Sequence, residues 1–351
     1  MSIPYRINDD YDEKTNLTVG IEVLQTVLGA LVMCAILISY CIDQKFLVRI
    51  ANQLIIIEYE IDRLYDLYYS LRRQRIFYTI IIVCILKICL LILLLCTEIL
   101  GIQTGPVSWL TDVLPTFYVG WLLIQYFLLV TVIQTDFADV NRAIQSLTST
   151  SDFRLQSLYQ TRCIVVNNSA VHQLLQLRDV HCHLCKMSND VSSFYSLPVL
   201  FGIIFLFLTL IYNGYWVLSP LLMKTLDYGT LSNGIIWIIF LIYPISLLTN
   251  RITSILIEIK TTGNIVHDLL NCAIGKETKT ELKKFSLQLL HRKIQFTANG
   301  YFILDNTFLH SLIGTMMTYL VILVQFQMTS LFSSVKQHII SSCNSTKRDL
   351  K

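Results

Sequence analysis

The run Ile76–Leu100, IFYTIIIVCILKICLLILLLCTEIL, establishes the class of this chain. A helix of about 20 apolar residues crosses the hydrocarbon core of a bilayer, and only helices or closed barrels satisfy their backbone groups there. Five further apolar runs lie at Val19–Ile42, Val113–Ile133, Phe194–Met223, Gly234–Leu248 and Ser311–Leu331. The composition agrees, with 54% hydrophobic and 15% charged residues. We therefore expect an all-α membrane protein with six transmembrane helices.

The basic residues are concentrated in three connections between the runs. Segments 43–75, 136–193 and 251–310 hold 19 of the 27 Lys and Arg residues. By the positive-inside rule these connections are cytoplasmic, so both termini face the outside of the plasma membrane. Two sequons agree with this topology and make Asn16 and Asn344 glycosylation candidates. The net charge of +3 is small, so no nucleic-acid partner is implied.

The cytoplasmic connections have helical patterns. Apolar residues recur at spacings of three and four from Leu47 to Leu71, as in a heptad seam, which predicts a helix that packs on its neighbours. An amphipathic helix lying on the bilayer surface is the alternative. Segment 136–193 is expected to form two helices separated at 146–152, and segment 251–310 to break once, at 275–280.

These patterns divide the chain into five regions. Residues 1–18 form an extracellular tail, and 19–250 form transmembrane helices with cytoplasmic extensions and the ligand-pocket region. Residues 251–310 form cytoplasmic anchor helices, 311–331 the last span and 332–351 a second extracellular tail.

Candidate enzyme chemistry is sparse. His181 and Cys185 would share one helix face, as half of a zinc site, but no second ligand pair is evident, and helix packing is the simpler interpretation. The phosphate-loop, nucleophile-elbow and kinase patterns are absent from the sequence. We expect neither an enzyme nor a bound cofactor or metal.

Within the spans, two features suggest a ligand pocket. Lys87 lies near the middle of an apolar run, where a charge must face protein or water; it either contacts a ligand or ion, or is paired or deprotonated in place. Amphipathic aromatic residues gather in the outer halves of the spans, where they line a pocket for a small molecule or form the interfacial belt. They are Phe117, Tyr118, Trp121, Tyr212, Tyr215, Trp216, Trp237, Phe240 and Tyr243.

The last span carries small and polar residues at roughly helical spacing: Ser311, Gly314, Thr315, Thr318, Gln325 and Thr329. An amide such as that of Gln325 is costly against lipid, so it must meet another helix or water. Several copies of this helix would make a pore with Ile322 near a hydrophobic constriction, whereas a small-residue packing seam is the alternative.

The same span carries a family resemblance. Thr318-Tyr319, five hydrophobic residues and Gln325-Phe326 resemble the Thr-Tyr, five-hydrophobic, Gln-Phe signature of insect gustatory receptors. The preceding Ala298, Gly300, Phe302, Leu304, Asp305 and Gly314 are also similar to that family. The resemblance implies a ligand-gated cation channel of sensory neurons, a homo- or heterotetramer in membrane lipid, with the last helix of each subunit around the pore.

In this comparison Thr318, Tyr319, Gln325 and Phe326 are signature residues of the pore and its support, and the outer aromatic residues are pocket candidates. The family's sugar-sensing branch commonly has Glu after Thr-Tyr. Leu320 stands there, which favours a bitter or uncharacterised tastant over a sugar.

The family has seven spans, so the match places Val19–Ile42 at its second span and leaves the first missing, as a short natural form or an incomplete sequence. A G-protein-coupled receptor and a secondary transporter are the alternative classes. The predicted external C-terminus opposes the first, and the lack of visible internal repeats opposes the second.

Overall fold

A computed structural model of the chain describes residues 16–64, 69–99, 109–152, 164–165, 168–223, 228–274, 276–292 and 294–349. The described part is almost entirely helical, as expected. Its eight α-helices are α1 Asn16–Ile42, α2 Gln44–Leu64, α3 Tyr69–Thr97, α4 Leu114–Asp152, α5 Asn168–Met223, α6 Tyr228–Cys272, α7 Lys276–His291 and α8 Asn306–Asp349. A π-helical turn, Trp109–Val113, precedes α4. Two-residue strands are β1 Ile164–Val165, β2 Ala273–Ile274, β3 Thr297–Ala298 and β4 Phe302–Ile303.

Six of these helices are long and apolar enough to cross a membrane, which confirms the predicted number of spans among the described residues. They are α1, α3, α4, α5, α6 and α8. The centre of the bundle is α4, which packs most extensively on α6 and α5. The remaining spans surround it, with α1 and α8 against α5, and α3 mainly against α6.

The heptad pattern is confirmed over α2, which packs along α5. Its seam residues Ile50, Ile57 and Ile61 are buried. Charged residues between them stay accessible, and Glu60 lies 3.8 Å from the ring of His183 on α5. Tyr68, a later residue of the same heptad seam, lies outside the described residues.

The expected helix break at 146–152 is wrong. Helix α4 continues through these residues to Asp152, and the described chain resumes with β1. Ser146 shows how a residue favoured at helix starts is accommodated inside a helix, because its hydroxyl donates to the carbonyl of Ala143 at 2.9 Å. Such bonds satisfy a hydroxyl without ending the helix.

The connection from α6 to α8 also differs from the expectation of a single break at 275–280. Helix α6 ends earlier, at Cys272, and β2 pairs in parallel with β1 before α7 begins at Lys276. A second break follows α7, where β3 and β4 form an antiparallel hairpin. The hairpin turns at Asn299 and Gly300, whose φ values of 50° and 76° place both in the left-handed region favoured by these residue types.

The helices extending below the spans are joined by polar contacts. Glu281 of α7 lies 2.6 Å from Lys284 and 3.0 Å from Arg178 of α5. Between α4 and α6, Asn141 donates to the Glu258 carboxylate at 2.9 Å and accepts a hydrogen bond from Thr262 at 2.6 Å. These contacts tie the helical extensions into one base that continues the transmembrane bundle.

His181 and Cys185 do share a face of α5, as their spacing predicts, with Cys185 Sγ 3.5 Å from His181 Nδ1. The imidazole lies edge-on between the rings of Phe137 and Phe285, at centroid distances of 5.2 and 5.6 Å. The pair therefore contributes to helix packing in the base.

Candidate functional site

The approach to the last helix is a short structural unit resting on α5. The backbone N–H of Asn299, in the hairpin turn, donates to the Ser196 hydroxyl at 2.7 Å, and Ser192 donates to the carbonyl of Gln295 at 3.2 Å. Ala298 of β3 and Leu304, directly after β4, are both buried. This unit fixes the position from which the last span rises.

Helix α8 begins with a side-chain cap. The Asp305 carboxylate accepts a hydrogen bond from the backbone N–H of Phe308 at 2.9 Å, which satisfies one of the free donors of the first turn. The N–H of Asn306 donates to Thr253 of α6 at 3.0 Å, so the helix start is also attached to its neighbour. The motif before the last span thus consists of a turn, a buried support and a cap.

The transmembrane part of α8 has one face packed inside the subunit. Leu312, Met316 and Leu320 are spaced by four residues and are all buried. Leu320 lies against Gly214 of α5, where an added Cβ would be 2.8 Å from Leu320 Cδ1. Gly214 therefore permits close packing of the two helices.

The opposite face of α8 carries the polar stripe. At 100° per residue, the stripe residues fall within an arc of about 100° centred opposite the buried face. They are Ser311, Gly314, Thr315, Thr318, Ile322, Gln325 and Thr329, and all are exposed on the single subunit. We call this set the stripe face; it meets the surroundings of the subunit.

The hydroxyl groups on the stripe face donate back into the helix. Thr315, Thr318 and Thr329 each bond to the carbonyl four residues earlier, at 2.8–3.0 Å. Their oxygen lone pairs remain available on the surface, because a hydroxyl that donates can still accept. The stripe face therefore offers acceptor oxygens to a cation or to water. At its flanks, Tyr319 contacts the ring of Phe207 edge-on at 6.1 Å and Phe326 is exposed.

Helix α3 provides a comparison for this exposure. In both helices only 17% of the apolar window is buried within the subunit. The exposed side chains of α3 include Ile82, Ile85, Ile92 and Leu93, which suit lipid. The exposed face of α8 instead includes an amide and several hydroxyls. The two peripheral helices therefore require different surroundings.

Lys87 is completely buried at the meeting point of α3, α4 and α6. Its ammonium nitrogen lies 3.2 Å from the carbonyl oxygen of Phe240 and 3.2 Å from the centre of the Phe240 ring. Pro244 lies four residues after Phe240 and lacks the N–H that would normally bond to this carbonyl. The ammonium group thus donates to the one carbonyl that Pro244 leaves without its helical donor.

Gly120 makes this arrangement possible on the α4 side. A Cβ at this position would lie 2.9 Å from the Lys87 nitrogen. In this conformation Lys87 is in contact with protein on all sides, which accords with the interpretation that it is paired in place.

A second buried polar group, which the sequence analysis did not single out, lies directly after the end of α3. Oε1 of Glu98 accepts hydrogen bonds from Asn233 at 2.9 Å and from the Trp237 indole at 2.8 Å. Thr97 donates to the Asn233 amide oxygen at 2.8 Å. A carboxyl group inside the apolar run was the signal available in the sequence, but the tertiary contacts were needed to identify its partners.

The outer aromatic candidates do not form one group. Trp237 and Phe240 are buried in α6 with edge-to-face rings 6.2 Å apart, between Glu98 and Lys87. The remaining members lie on three helices. On α4, the ring of Phe117 stacks on that of Trp121 at 6.0 Å and contacts that of Tyr118 at 6.5 Å. On α5, the Trp216 indole donates to the Tyr212 hydroxyl at 2.9 Å, and Tyr215 is half-buried. On α6, the Tyr243 hydroxyl donates to the carbonyl of Val83 at 3.4 Å.

The two sequon residues lie in helices: Asn16 is the first residue of α1, and Asn344 falls in the last part of α8. The segment predicted as a C-terminal tail is therefore helical as far as Asp349. Most of the predicted N-terminal tail lies outside the described residues.

Comparison with known proteins links this architecture to a receptor family. A family model described as 7tm chemosensory receptor matches residues 1–330. The provisionally named gustatory receptor 28b of Drosophila melanogaster is 32% identical over 174 residues, which is 47% of this chain and 37% of that protein. The gustatory receptor for sugar taste 43a of the same organism is 31% identical over 157 residues, covering 45% and 36%. The matched part thus spans under two fifths of these relatives.

The fold is also found in a solved structure. The insect olfactory receptor OR5 from Machilis hrabei, in complex with eugenol, aligns with a TM-score of 0.57 at 13% identity, covering 88% of this chain and 80% of that one. At this identity the likeness concerns the helical architecture. It extends beyond the segment in which the sequence signature lies.

Proposed function

The chain belongs to the 7tm chemosensory receptor family, and on this basis we propose that it is a subunit of a ligand-gated cation channel that responds to a small-molecule tastant. The channel is a tetramer of this chain, alone or with related subunits, in the plasma membrane of sensory neurons. Helix α8 of each subunit lines the central pore.

The stripe face of α8 is the observation that carries this proposal. Thr318 and Gln325 lie on the side of the helix away from α5 and α6, so they are available to a second subunit or to a pore. In lipid, the Gln325 amide would lose water without gaining a new partner, at a cost of a few kcal/mol, whereas the Thr318 hydroxyl already donates within the helix. Around a shared axis the same groups contact water and ions.

The tastant pocket is proposed among the outer aromatic residues, of which Tyr212, Trp216 and Tyr118 are accessible at least in part. Sugar-sensing members of the resembled family commonly have Glu at the position of Leu320, so Leu320 favours a ligand other than a sugar. In this chain Leu320 is buried against Gly214. The relative named for sugar taste keeps sugars in the set of compounds to be tested.

Currents from excised membrane patches test both parts of the proposal. The chain is expressed alone and with related receptors, and patches without GTP are exposed to caffeine, quinine, denatonium, fructose and sucrose. We expect cation current evoked by at least one of the first three compounds. Persistent silence of well-expressed protein in every subunit combination, or current that requires a G protein, would reject the channel function.

Gln325→Leu tests the role of the stripe face in the same recordings. The variant removes a polar group that would stabilise a passing ion by about 1 kcal/mol. A barrier raised by this amount should lower the single-channel current roughly fivefold. The control is Gln327→Leu, the same change about 200° further round the helix. Equal effects of the two changes would argue against a pore role for the stripe face.

A further inference from the structure

A cavity of about 220 Å³ opens between α3, α4 and α6. Each helix contributes one arginine to its lining: Arg75 from α3, Arg142 from α4 and Arg251 from α6. Hydroxyl and amide groups complete it, among them Thr79, Thr135 and Gln134. Among the residues that the structure describes, no acidic side chain lines the cavity.

The residues that line the cavity lie at the ends of three apolar runs. Arg75 immediately precedes the run that begins at Ile76, Arg251 follows the run that ends at Leu248, and Thr135 follows Ile133. These three ends all meet the basic connections that the positive-inside rule places in the cytoplasm. The cavity is thus at the depth of the phosphate groups of the inner leaflet.

The charges of the three arginines are unequally neutralised. Arg142 lies 2.9 Å from Asp139, whereas neither Arg75 nor Arg251 forms an ion pair with another residue in the described part of the chain. Arg251 is held by Gln134, to which it donates at 3.3 Å, and lies 5.7 Å from the centre of the Phe127 ring. Arg75 is exposed. Within the described ranges, two guanidinium charges therefore remain at the cavity without a carboxylate.

We propose that this cavity binds a phosphomonoester group carried by the headgroup of an anionic inner-leaflet lipid. A phosphomonoester carries about −1.5 to −2 charge near neutral pH, which balances the two guanidinium groups that lack carboxylates. Guanidinium groups bind phosphate oxygens through paired N–H donors, and hydroxyl groups complete such sites. A lipid reaches the cavity along α3, whose outer surface is apolar.

Binding of this group has a structural consequence for α3. This helix is little buried and packs mainly on α6. A phosphate held by Arg75 of α3 and Arg251 of α6 would connect the cytoplasmic ends of the two helices. The lipid would then hold α3, one of the two least buried spans of the described part, against α6.

Native mass spectrometry of the purified full-length chain tests the site. The protein is titrated with dioleoyl phosphatidic acid, a phosphomonoester lipid, and with dioleoyl phosphatidylglycerol, a phosphodiester lipid of the same acyl chains. We expect phosphatidic acid to bind more tightly, and Arg75→Gln with Arg251→Gln to weaken it about tenfold or more. Arg49→Gln is the control, because Arg49 of α2 also lies in a basic connection but outside the cavity.

Arg75→Gln alone provides a second variant, since its exposed side chain is not needed for helix packing, and we expect a severalfold loss. Retained affinity in both variants, an equal loss in Arg49→Gln, or equal binding of the two lipids would overturn the proposal. Displacement of phosphatidic acid by inorganic phosphate or inositol trisphosphate at low millimolar concentration would assign the cavity to soluble phosphates and overturn the lipid source.

Discussion

Lys87 shows how a charged residue is accommodated inside an apolar helix. Its ammonium group donates to a carbonyl that Pro244 cannot serve, faces an aromatic ring and occupies space left by Gly120. Three helices each contribute one necessary feature to this joint. The sequence indicated that Lys87 must avoid lipid, but its partner is more than 150 positions away in the chain. No local pattern could identify it.

This joint predicts an energetic coupling between Lys87 and Pro244. Lys87→Met leaves the Phe240 carbonyl buried without a donor and should cost about 1–3 kcal/mol of stability. In a Pro244→Ala background the N–H of residue 244 can serve that carbonyl, so the same change should cost less. Unfolding of the four proteins in detergent gives the coupling. Additive effects would show that Lys87 does not act through this carbonyl.

The α5–α7 contact is the clearest electrostatic link between elements. The hydrogen bond from Lys284 lowers the pKa of the Glu281 carboxyl, and Arg178 adds to this effect. A carboxyl group whose pKa is lower in the folded than in the unfolded protein stabilises the fold at neutral pH. This contribution is lost as the pH falls through the pKa of the folded state. The contact is accessible to solvent, so its effect on stability is small.

Glu281→Gln tests this link through its pH dependence. At pH 7 the variant should melt at a slightly lower temperature than the original chain. The difference should shrink as pH falls below the usual carboxyl pKa of about 4.3. Melting is followed by intrinsic fluorescence in detergent at low salt, and Glu58→Gln, in the interior of α2, serves as control. A difference that is independent of pH would assign the effect to packing.

Helix existence was easier to predict than helix ends. Long apolar runs and the heptad seam of α2 follow directly from periodicity, because burial depends on which face a residue occupies. The end of α4 was misplaced, since hydroxyl side chains such as Ser146 bond within the helix as readily as they cap one. The hairpin at Asn299-Gly300 was missed, although that dipeptide is a recognised turn signal.

For the whole molecule, the distribution of basic residues around the six spans of the described part predicts one orientation by the positive-inside rule. With the three basic connections inside, as this rule predicts, α8 would start at the cytoplasmic side and end outside. A short epitope after Lys351 should therefore be labelled by antibody on intact cells. An epitope inserted in segment 153–163, between α4 and α5, should be labelled only after permeabilisation. The reverse pattern would invert the topology and place the arginine cavity in the outer leaflet.

The candidate site was predicted unevenly at this scale. The stripe face could be derived from spacing in α8, because a helix fixes the relative directions of its own residues. The grouping of the outer aromatic residues could not be derived, because it depends on how α4, α5 and α6 rotate against one another. The role of Glu98 as a buried hydrogen-bond acceptor depends on its tertiary contacts with Asn233 and Trp237, which no local pattern predicts.

Cysteine accessibility along α8 tests the pore assignment most directly. Thr318→Cys and Gln325→Cys are compared with Met317→Cys and Met328→Cys in a background without native cysteines, using a charged thiol reagent during evoked current. The pore assignment predicts rapid modification and block at the first two positions, and little effect at the flanking methionine positions. Equal inertness of Thr318→Cys and Gln325→Cys in open channels, with modification elsewhere on the helix, would contradict it.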